Sequence, residues 1–151
     1  MRRSDREIPE KASRELLERG EYGILSMGGI DGPYGVPVNY AVKKNTIFFH
    51  STAAGGLKAE LLAANPHVCF TVVGHTQVQP KQFSTRYESV IVFGRCFPVV
   101  DDTEKCEALR CLAAKYSPDF MAQAESYITA ATEKVSVYSV SIETITGKAR
   151  K

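Results

Sequence analysis

Residues 46–58 have the sequence TIFFHSTAAGGLK, which constrains both fold and function more than any other segment. The β-branched and aromatic residues at its start are typical of a strand. A turn rich in hydroxyl groups follows, with Gly55, Gly56 and then Lys58 at the start of a predicted helix. Since the N–H groups at a helix start lack partners and the helix dipole favours negative charge, the segment predicts a phosphate site. The alternative is a solvent-exposed connection with a surface lysine.

The composition is that of an ordinary soluble globular protein. A chain of 151 residues predicts one domain, 1–151, with a hydrophobic core. The net charge of +2, without a basic run interleaved with aromatic residues, gives no support for a nucleic-acid partner. The sequence shows no apolar run of the roughly 20 residues that a membrane helix needs, and its charged start does not resemble a signal peptide. We therefore expect a cytoplasmic protein without a membrane partner.

The four cysteines are expected to be reduced and structural. None forms a C-x-x-C pair, and no histidine lies at zinc-finger spacing from them. The three histidines form no cluster, so we expect no metal site.

Six strand-like runs are separated by turn signals, namely residues 22–27, 36–42, 46–51, 68–73, 87–100 and 135–145. The first three follow one another closely and predict antiparallel hairpins, which would place 36–42 beside 47–51. Residues 74–85 are polar and contain Pro80, so they predict a loop that could partly continue the preceding strand. Gly94 is a candidate bulge. The basic residues 148–151 are expected to form a tail.

Helical patterns occur between these runs. Helices are predicted over residues 9–19 and 55–64, after an Asp101–Thr103 cap, and from Ser117 onward. In the last helix, the residues expected to form the buried face are Phe120, Ala124, Tyr127 and Ile128. Strands in hairpin order with helices at the crossovers predict a small closed or partly closed antiparallel barrel.

Three further sites could contribute to ligand binding. Asn39 carries an amide that can both donate and accept hydrogen bonds, and Tyr40 could lie against a flat ring, although a strand with one polar face explains both residues. Residues 86–89 could complete a ring pocket, although Arg86 and Glu88 also suit a surface ion pair. His50 is the one histidine placed to touch a ligand at the phosphate turn.

Together these segments resemble the pyridoxamine 5′-phosphate oxidase-like flavoproteins, and more narrowly the branch related to nitroimidazole-resistance (Nim) proteins. The segments that carry the resemblance are GVPVNY at 35–40, IFFHS at 47–51 with GLK at 56–58, NPHVCF at 65–70, YESVIVFG at 87–94 and ITGKA at 145–149. They occur in the family's order and cover nearly the whole chain.

The resemblance implies a mainly β fold, a split β-barrel of about six antiparallel strands with flanking helices. It also implies that FMN is bound at the interface of a homodimer. The residues implied to line the flavin ring are Val38, Asn39 and Tyr40. Those implied to hold the ribityl phosphate are His50, Ser51, Thr52, Gly56, Leu57 and Lys58. Those implied to lie near the ring or its dimethylbenzene edge are Tyr87, Glu88 and Ser89. In Nim-like members the histidine at the position of His50 is linked to catalysis.

The resemblance favours an FMN-dependent oxidoreductase that passes electrons from a reduced nicotinamide to a small acceptor such as a nitroaromatic. The chain lacks the basic substrate-phosphate motif that true pyridoxamine phosphate oxidases carry near the C-terminus, so vitamin B6 oxidation is not expected. One alternative is a flavin-binding sensor or carrier without turnover. Another is a split barrel that binds haem or a deazaflavin.

Overall fold

The computed structural model describes residues 3–151. Met1 and Arg2, part of the predicted domain 1–151, lie outside the described residues. The strands are β1 (Glu7–Ile8), β2 (Gly23–Met27), β3 (Tyr34–Val38), β4 (Ala41–Lys43), β5 (Thr46–Thr52), β6 (His67–Gln79), β7 (Ser84–Pro98) and β8 (Val135–Arg150). The helices are α1 (Glu10–Arg19), α2 (Leu57–Ala64), α3 (Asp102–Tyr116) and α4 (Met121–Ala131).

One antiparallel sheet has the order β3-β2-β6-β7-β8-β5-β4, with β1 paired to the end of β8. Strands β3 and β4 form its two edges, yet only Asn39 and Tyr40 separate them in sequence. A connection of this length spans only about 10 Å, so the sheet must curl until its edges meet. The result is a split β-barrel whose seam lies at Asn39 and Tyr40, which confirms the predicted fold class.

The side chains of the sheet alternate between two cores. Ile47 and Phe49 of β5 point into the barrel, where they join the core that α1 covers. Phe48 points outward and packs with Leu109 of α3 in a second core beneath α3 and α4. His50 has the same parity as Phe48, so it lies on the outer face beside these helices.

The hairpin prediction for residues 22–51 was half wrong. Strands β2 and β3 form one hairpin and β4 and β5 another, but residues 36–38 pair with β2 rather than with 47–51. The reason is the break at Asn39 and Tyr40, which sends the chain from one barrel edge to the other. This break and β1 raise the strand count from the predicted six to eight in the described residues.

The predicted loop at 74–85 was also largely wrong. Strand β6 continues to Gln79, a short turn of 3₁₀-helix covers Pro80–Gln82, and β7 begins at Ser84. Backbone hydrogen bonds between β6 and β7 hold this polar hairpin. Its residues show no alternation of apolar and polar side chains, so the sequence pattern does not predict strands here. The predicted bulge at Gly94 is confirmed by a register shift between Phe93 and Gly94.

The C-terminal half departs from expectation in three further places. Residues up to Arg150 belong to β8, so the predicted basic tail is mostly strand. Asp101 caps α3 as predicted, by accepting a hydrogen bond from the Glu104 N–H. Ser117 makes no such cap, because Pro118–Phe120 forms a 3₁₀ turn before α4. Of the residues predicted for the buried face of the last helix, Ile128 is buried, whereas Tyr127 of α4 and Phe120 of the 3₁₀ turn are exposed.

All four cysteines are free, as expected. Burial raises the pKa of the Cys96 thiol to about 12, so this group is inert at neutral pH. No helix within residues 3–151 is long and apolar enough to cross a membrane.

Candidate functional site

The turn between β5 and α2 has the backbone geometry expected of an anion site. Gly55 has a φ of 79° and Gly56, the residue before α2, a φ of 116°. Both values lie in the region that glycine adopts without strain, and a Cβ at either position would meet no described atom. No side chain caps the N-terminus of α2. The first N–H groups of the helix are therefore available to an anion at an open turn.

Lys58 and His50 are the two titratable side chains at this turn. The Lys58 Nζ lies 5.3 Å from the centroid of the Phe49 ring, and burial lowers the pKa of the ammonium group. The pKa of His50 is lowered first by burial and then by the charge of Lys58. His50 is therefore largely neutral at pH 7, and an arriving dianion would favour the charged forms of both side chains.

An apolar cavity of about 360 Å³ lies beside His50, between the outer face of the sheet and helices α3 and α4. Asn39 and His50 are the two predicted site residues that line it. The other polar residues on its wall are Tyr116, Ser117, Gln123 and Tyr127. The remaining lining residues are alanine, valine, leucine, isoleucine and phenylalanine. The volume and the mixed lining are typical of a pocket for a small organic molecule.

Tyr116 of α3 fixes the barrel seam at the edge of this cavity. Its hydroxyl lies 2.8 Å from the Tyr40 N–H nitrogen and 2.7 Å from the carbonyl oxygen of Glu21. Tyr40 itself is fully buried, with its hydroxyl donating to the carbonyl of Leu17 and its ring edge-on to Phe70. The Tyr40 side chain therefore belongs to the core, and Asn39 is the residue of the seam that faces outward.

Lys115 provides a test of the electrostatics at the seam. Its buried Nζ has no hydrogen-bond partner in the described chain and lies 3.7 Å from the centroid of the Tyr40 ring. Burial lowers its pKa from 10.5 to about 8. Between these values the unfolded chain binds more protons than the native state, so this group makes stability rise with pH in that window.

We expect Lys115→Met to raise the free energy of unfolding at pH 7 by about 1 kcal/mol, after allowance for solvent screening and for the lost cation–π contact. Urea denaturation at several pH values should show this gain shrinking between about pH 8 and 10.5. A gain that does not change over this range would contradict the assigned burial of the charge. Lys11→Met, on the exposed surface of α1, is the control.

The predicted residues Tyr87, Glu88 and Ser89 lie at the far end of the barrel from His50. Ser89 pairs with Lys148 of β8, whereas His50 pairs with Val137 of the same strand. Eleven residues of β8 separate these two pairs, roughly 36 Å along the strand. Within one chain, therefore, these three residues could not surround a ligand whose phosphate lay at the β5–α2 turn.

At that far end, Glu88 is engaged in an ion pair. Its carboxylate accepts hydrogen bonds from Arg19 at 2.6 Å and from the His75 N–H at 3.2 Å, and the first of these lowers its pKa. The predicted partner Arg86 is not involved. Tyr87 and Ser89 lie on the outer face of β7, with Arg150 and Lys148 as their neighbours on β8.

Val38, Ser51, Thr52 and Leu57 complete the set of predicted residues. Val38 is buried in the barrel core, whereas Thr52 and Leu57 are exposed and Ser51 is half-buried at the open turn. Sequence analysis did not assign the helix residues of the cavity wall to a site, although it predicted that four of them share one helix face, namely Phe120, Ala124, Tyr127 and Ile128. One signal was available, because Phe120 and Tyr127 add large aromatic groups to a helix with few other bulky apolar residues.

No cluster of three or more histidine, cysteine or acidic side chains with metal-binding geometry occurs in residues 3–151.

Comparison with protein families shows that a sequence model of the family described as pyridoxamine 5′-phosphate oxidase matches residues 9–149. Comparison with curated proteins gives no significant match.

Several solved structures are similar to this chain. A protein from Bacteroides thetaiotaomicron described as a 5-nitroimidazole antibiotic resistance protein is 25% identical, with a TM-score of 0.78 over 94% of this chain and 85% of its own. An FAD- and haem-binding protein from Mycobacterium smegmatis is 16% identical, with a TM-score of 0.82 over 95% and 72%. An FAD-binding protein from Mesorhizobium loti is 22% identical, with a TM-score of 0.66 over 97% of both chains. The last two show likeness of fold alone.

Proposed function

Since the chain belongs to the pyridoxamine 5′-phosphate oxidase family, we propose that it binds FMN and works as an FMN-dependent oxidoreductase. The observation that carries the proposal is the anion site at the β5–α2 turn, where two glycines, a helix N-terminus and Lys58 come together. FMN ends in a single phosphate, and a turn of this size suits one phosphate group. Bound FMN would supply the redox chemistry, and the chain would bind and orient it.

The predicted site residues would contribute to FMN binding in different ways, depending on how exposed each side chain is. Lys58 would pair with the phosphate, and the hydroxyl groups of Ser51 and Thr52 and the N–H groups at Gly56 and Leu57 would donate to it. Asn39 would present its amide to the flavin ring. The side chains of Val38 and Tyr40 are buried, so these residues would contribute only backbone groups.

We propose that the site is completed by a second copy of the chain. The outer face of β6 and β7 carries an apolar patch, defined here as Val73, Ile91, Phe93 and Phe97, all of them exposed. Such a patch on one face of a sheet is typical of a protein–protein interface. Phe93 lies midway in sequence between Tyr87 and Val99. Val99 is close to His50, because its N–H donates to the carbonyl of Val137 and Val137 pairs with His50.

A two-fold axis near Phe93 and perpendicular to β7 would exchange the two ends of the strand. It would bring the partner's Tyr87, Glu88 and Ser89 close to the phosphate turn. Lys148 and Arg150 would move with them and add positive charge near the FMN phosphate. A homodimer with FMN at the interface thus explains why the predicted site residues lie at both ends of the barrel.

A reduced nicotinamide is the proposed electron donor and a small molecule such as a nitroaromatic the proposed acceptor. The similarity to the Bacteroides thetaiotaomicron protein supports an acceptor of that type. Neither nucleic acid nor a membrane is a proposed partner, and the cytoplasm is the proposed location.

The cavity wall carries no lysine or arginine among the described residues, which disfavours a phosphorylated substrate such as pyridoxamine phosphate.

The purified protein provides the direct test. We expect a yellow protein whose absorption shows the two flavin bands and whose ligand, released on denaturation, has the mass of FMN. A Soret band instead would indicate haem, which one solved relative binds. A colourless protein that does not bind added FMN would overturn the proposal. A yellow protein that oxidises neither NADH nor NADPH with any nitroaromatic would support the alternative function, a flavin-binding sensor or carrier without turnover.

The role of His50 can be separated by its pH dependence. Its pKa lies below 6.5 without ligand and should rise when the dianionic phosphate binds, so the complex takes up a proton. We therefore expect FMN affinity to increase about three- to tenfold as the pH falls from 8 to 6.5. His50→Ala should abolish this slope, as measured by FMN titration.

The same variant distinguishes binding from catalysis. If His50→Ala loses FMN, the histidine is a binding residue; if it keeps FMN but loses turnover, the histidine is catalytic. An unchanged slope together with unchanged turnover would exclude both roles.

A further inference from the structure

The cavity beside His50 is distinct from the phosphate turn in its chemistry. The turn presents glycines, hydroxyl groups and Lys58, whereas the cavity wall carries no aspartate, glutamate, lysine or arginine in the part of the chain that the structure describes. The charged residues of α3 and α4 are directed elsewhere. Arg110 pairs with Glu125 at 2.7 Å on the helix surface, and Lys115 lies over the Tyr40 ring.

The polar groups that remain in the cavity can all donate hydrogen bonds. Asn39 and Gln123 carry amide groups, Ser117 carries a hydroxyl, and neutral His50 carries one ring N–H. At the mouth, Phe120 and Tyr127 leave 61% and 74% of their surface exposed. Exposed aromatic rings at the entrance of an apolar cavity offer flat faces to a planar molecule.

We propose that this cavity binds a small, uncharged, planar aromatic or quinoid molecule with acceptor oxygens, and that it excludes anionic analogues. The molecule is the electron acceptor of the function proposed above, on which this inference rests. At pH 8, where His50 is neutral, a carboxylate or sulfonate placed here would lose its hydration without gaining a cationic partner, and that cost selects against it. Nitro and quinone oxygens, in contrast, can accept hydrogen bonds from the amide and hydroxyl groups of the wall.

The test compares two probes with the same ring, 1,4-naphthoquinone and 1,4-naphthoquinone-2-sulfonate. Both are titrated at pH 8, to keep His50 neutral, into FMN-loaded protein by calorimetry, and into the FMN-free protein with the quenching of tyrosine fluorescence as a second readout. We expect the uncharged quinone to bind both forms of the protein, and the sulfonate to bind at least about tenfold more weakly.

A matched pair of variants locates the selectivity. Gln123→Arg adds a cation at an exposed position on the cavity wall, and Ala122→Arg adds the same charge to the neighbouring exposed position of α4 outside the cavity. The first should raise sulfonate affinity toward that of the quinone, and the second should leave the ratio of the two affinities unchanged.

Three results would overturn the inference without contradicting the proposal that the protein binds FMN. These are equal affinity of the wild-type protein for both probes, equal effects of the two arginine variants, and displacement of FMN by the quinone. Displacement would mean that the flavin ring itself occupies the cavity. Failure of the protein to bind FMN would instead count against the proposed function. The two outcomes can be distinguished, because quinone binding is also measured with the FMN-free protein.

Discussion

Lys58→Met is expected to weaken FMN binding by about 10- to 150-fold, the equivalent of roughly 1.5–3 kcal/mol for one charge-assisted contact. Lys58 has no acidic partner within hydrogen-bonding distance in residues 3–151, and burial has already lowered its pKa. Part of the cost of desolvating this charge is therefore met when the protein folds. The phosphate dianion would supply the missing partner, so removal of the ammonium group costs more here than at an exposed site.

The same substitution should leave the FMN-free protein at least as stable as the wild type. Methionine keeps the stem that packs near Phe49 and removes a half-buried charge that no carboxylate compensates. It should also raise the pKa of His50, because the charge of Lys58 lowers it.

Three measurements cover this prediction: FMN titration by fluorescence quenching, urea denaturation without FMN, and NMR titration of His50. Lys11→Met removes an exposed lysine of α1 as the control. Unchanged FMN affinity in Lys58→Met would show that Lys58 does not contact the phosphate. A loss of both FMN affinity and stability of the FMN-free protein would contradict the prediction that the substitution acts on binding alone. Both quantities are therefore measured on the same preparation.

The parts of the fold that the sequence could predict are those with a clear hydrophobic pattern. Strand β5 begins with β-branched and aromatic residues and β6 with an apolar run, and both lie close to their predicted positions. The helix after Asp101 was predictable because a capping side chain precedes a 3.6-residue apolar repeat. In each case local chemistry and tertiary packing agree.

The parts that sequence reasoning missed depend on contacts between distant residues. The break at Asn39 and Tyr40 carries one turn-favouring residue, Asn39, which alone is a weak signal. In the structure the Tyr116 hydroxyl, 76 residues away in sequence, holds the backbone of Tyr40 at the break. The hairpin around Pro80 lacks hydrophobic alternation, because both its faces are in solvent.

The candidate site also has a part that could be predicted from the sequence and a part that could not. The β5–α2 turn is a local feature, so the position of its two glycines and Lys58 at the start of a helix could be predicted from spacing alone. The cavity is not local, because its wall combines Asn39 and His50 with residues of α3 and α4 that are more than 50 positions away in sequence. The large separation of Ser89 from His50 could not be derived without the register of β8.

Phe93→Glu is expected to convert the proposed homodimer to a monomer and to weaken FMN binding by about a hundredfold or more. Phe93 is 55% exposed on the outer face of β7, so a glutamate there meets water in the single chain and should cost the fold little. In the proposed dimer the two-fold axis would bring two such carboxylates together in an apolar interface. Burying unpaired charges in this way costs several kcal/mol for each.

The loss of FMN would follow from geometry rather than from unfolding. The monomer keeps the phosphate turn, but the partner's Tyr87, Glu88 and Ser89 would no longer reach it, because in one chain they lie roughly 36 Å away along β8. Light scattering coupled to size-exclusion chromatography measures the mass, and FMN titration measures the affinity. Ile30→Glu places the same charge on a fully exposed residue of the β2–β3 turn, outside the apolar patch, and should change neither quantity.

The two measurements also separate the two halves of the dimer proposal. A monomeric Phe93→Glu protein that binds FMN as tightly as the wild type would show that one chain holds the whole site, and the far end of β7 would then need another explanation. A variant that stays dimeric would show that the subunits meet elsewhere than on the apolar patch. Only joint loss of dimer and FMN, in a monomer that keeps the wild-type circular-dichroism spectrum and a cooperative urea transition, connects Phe93 to the site through the second subunit.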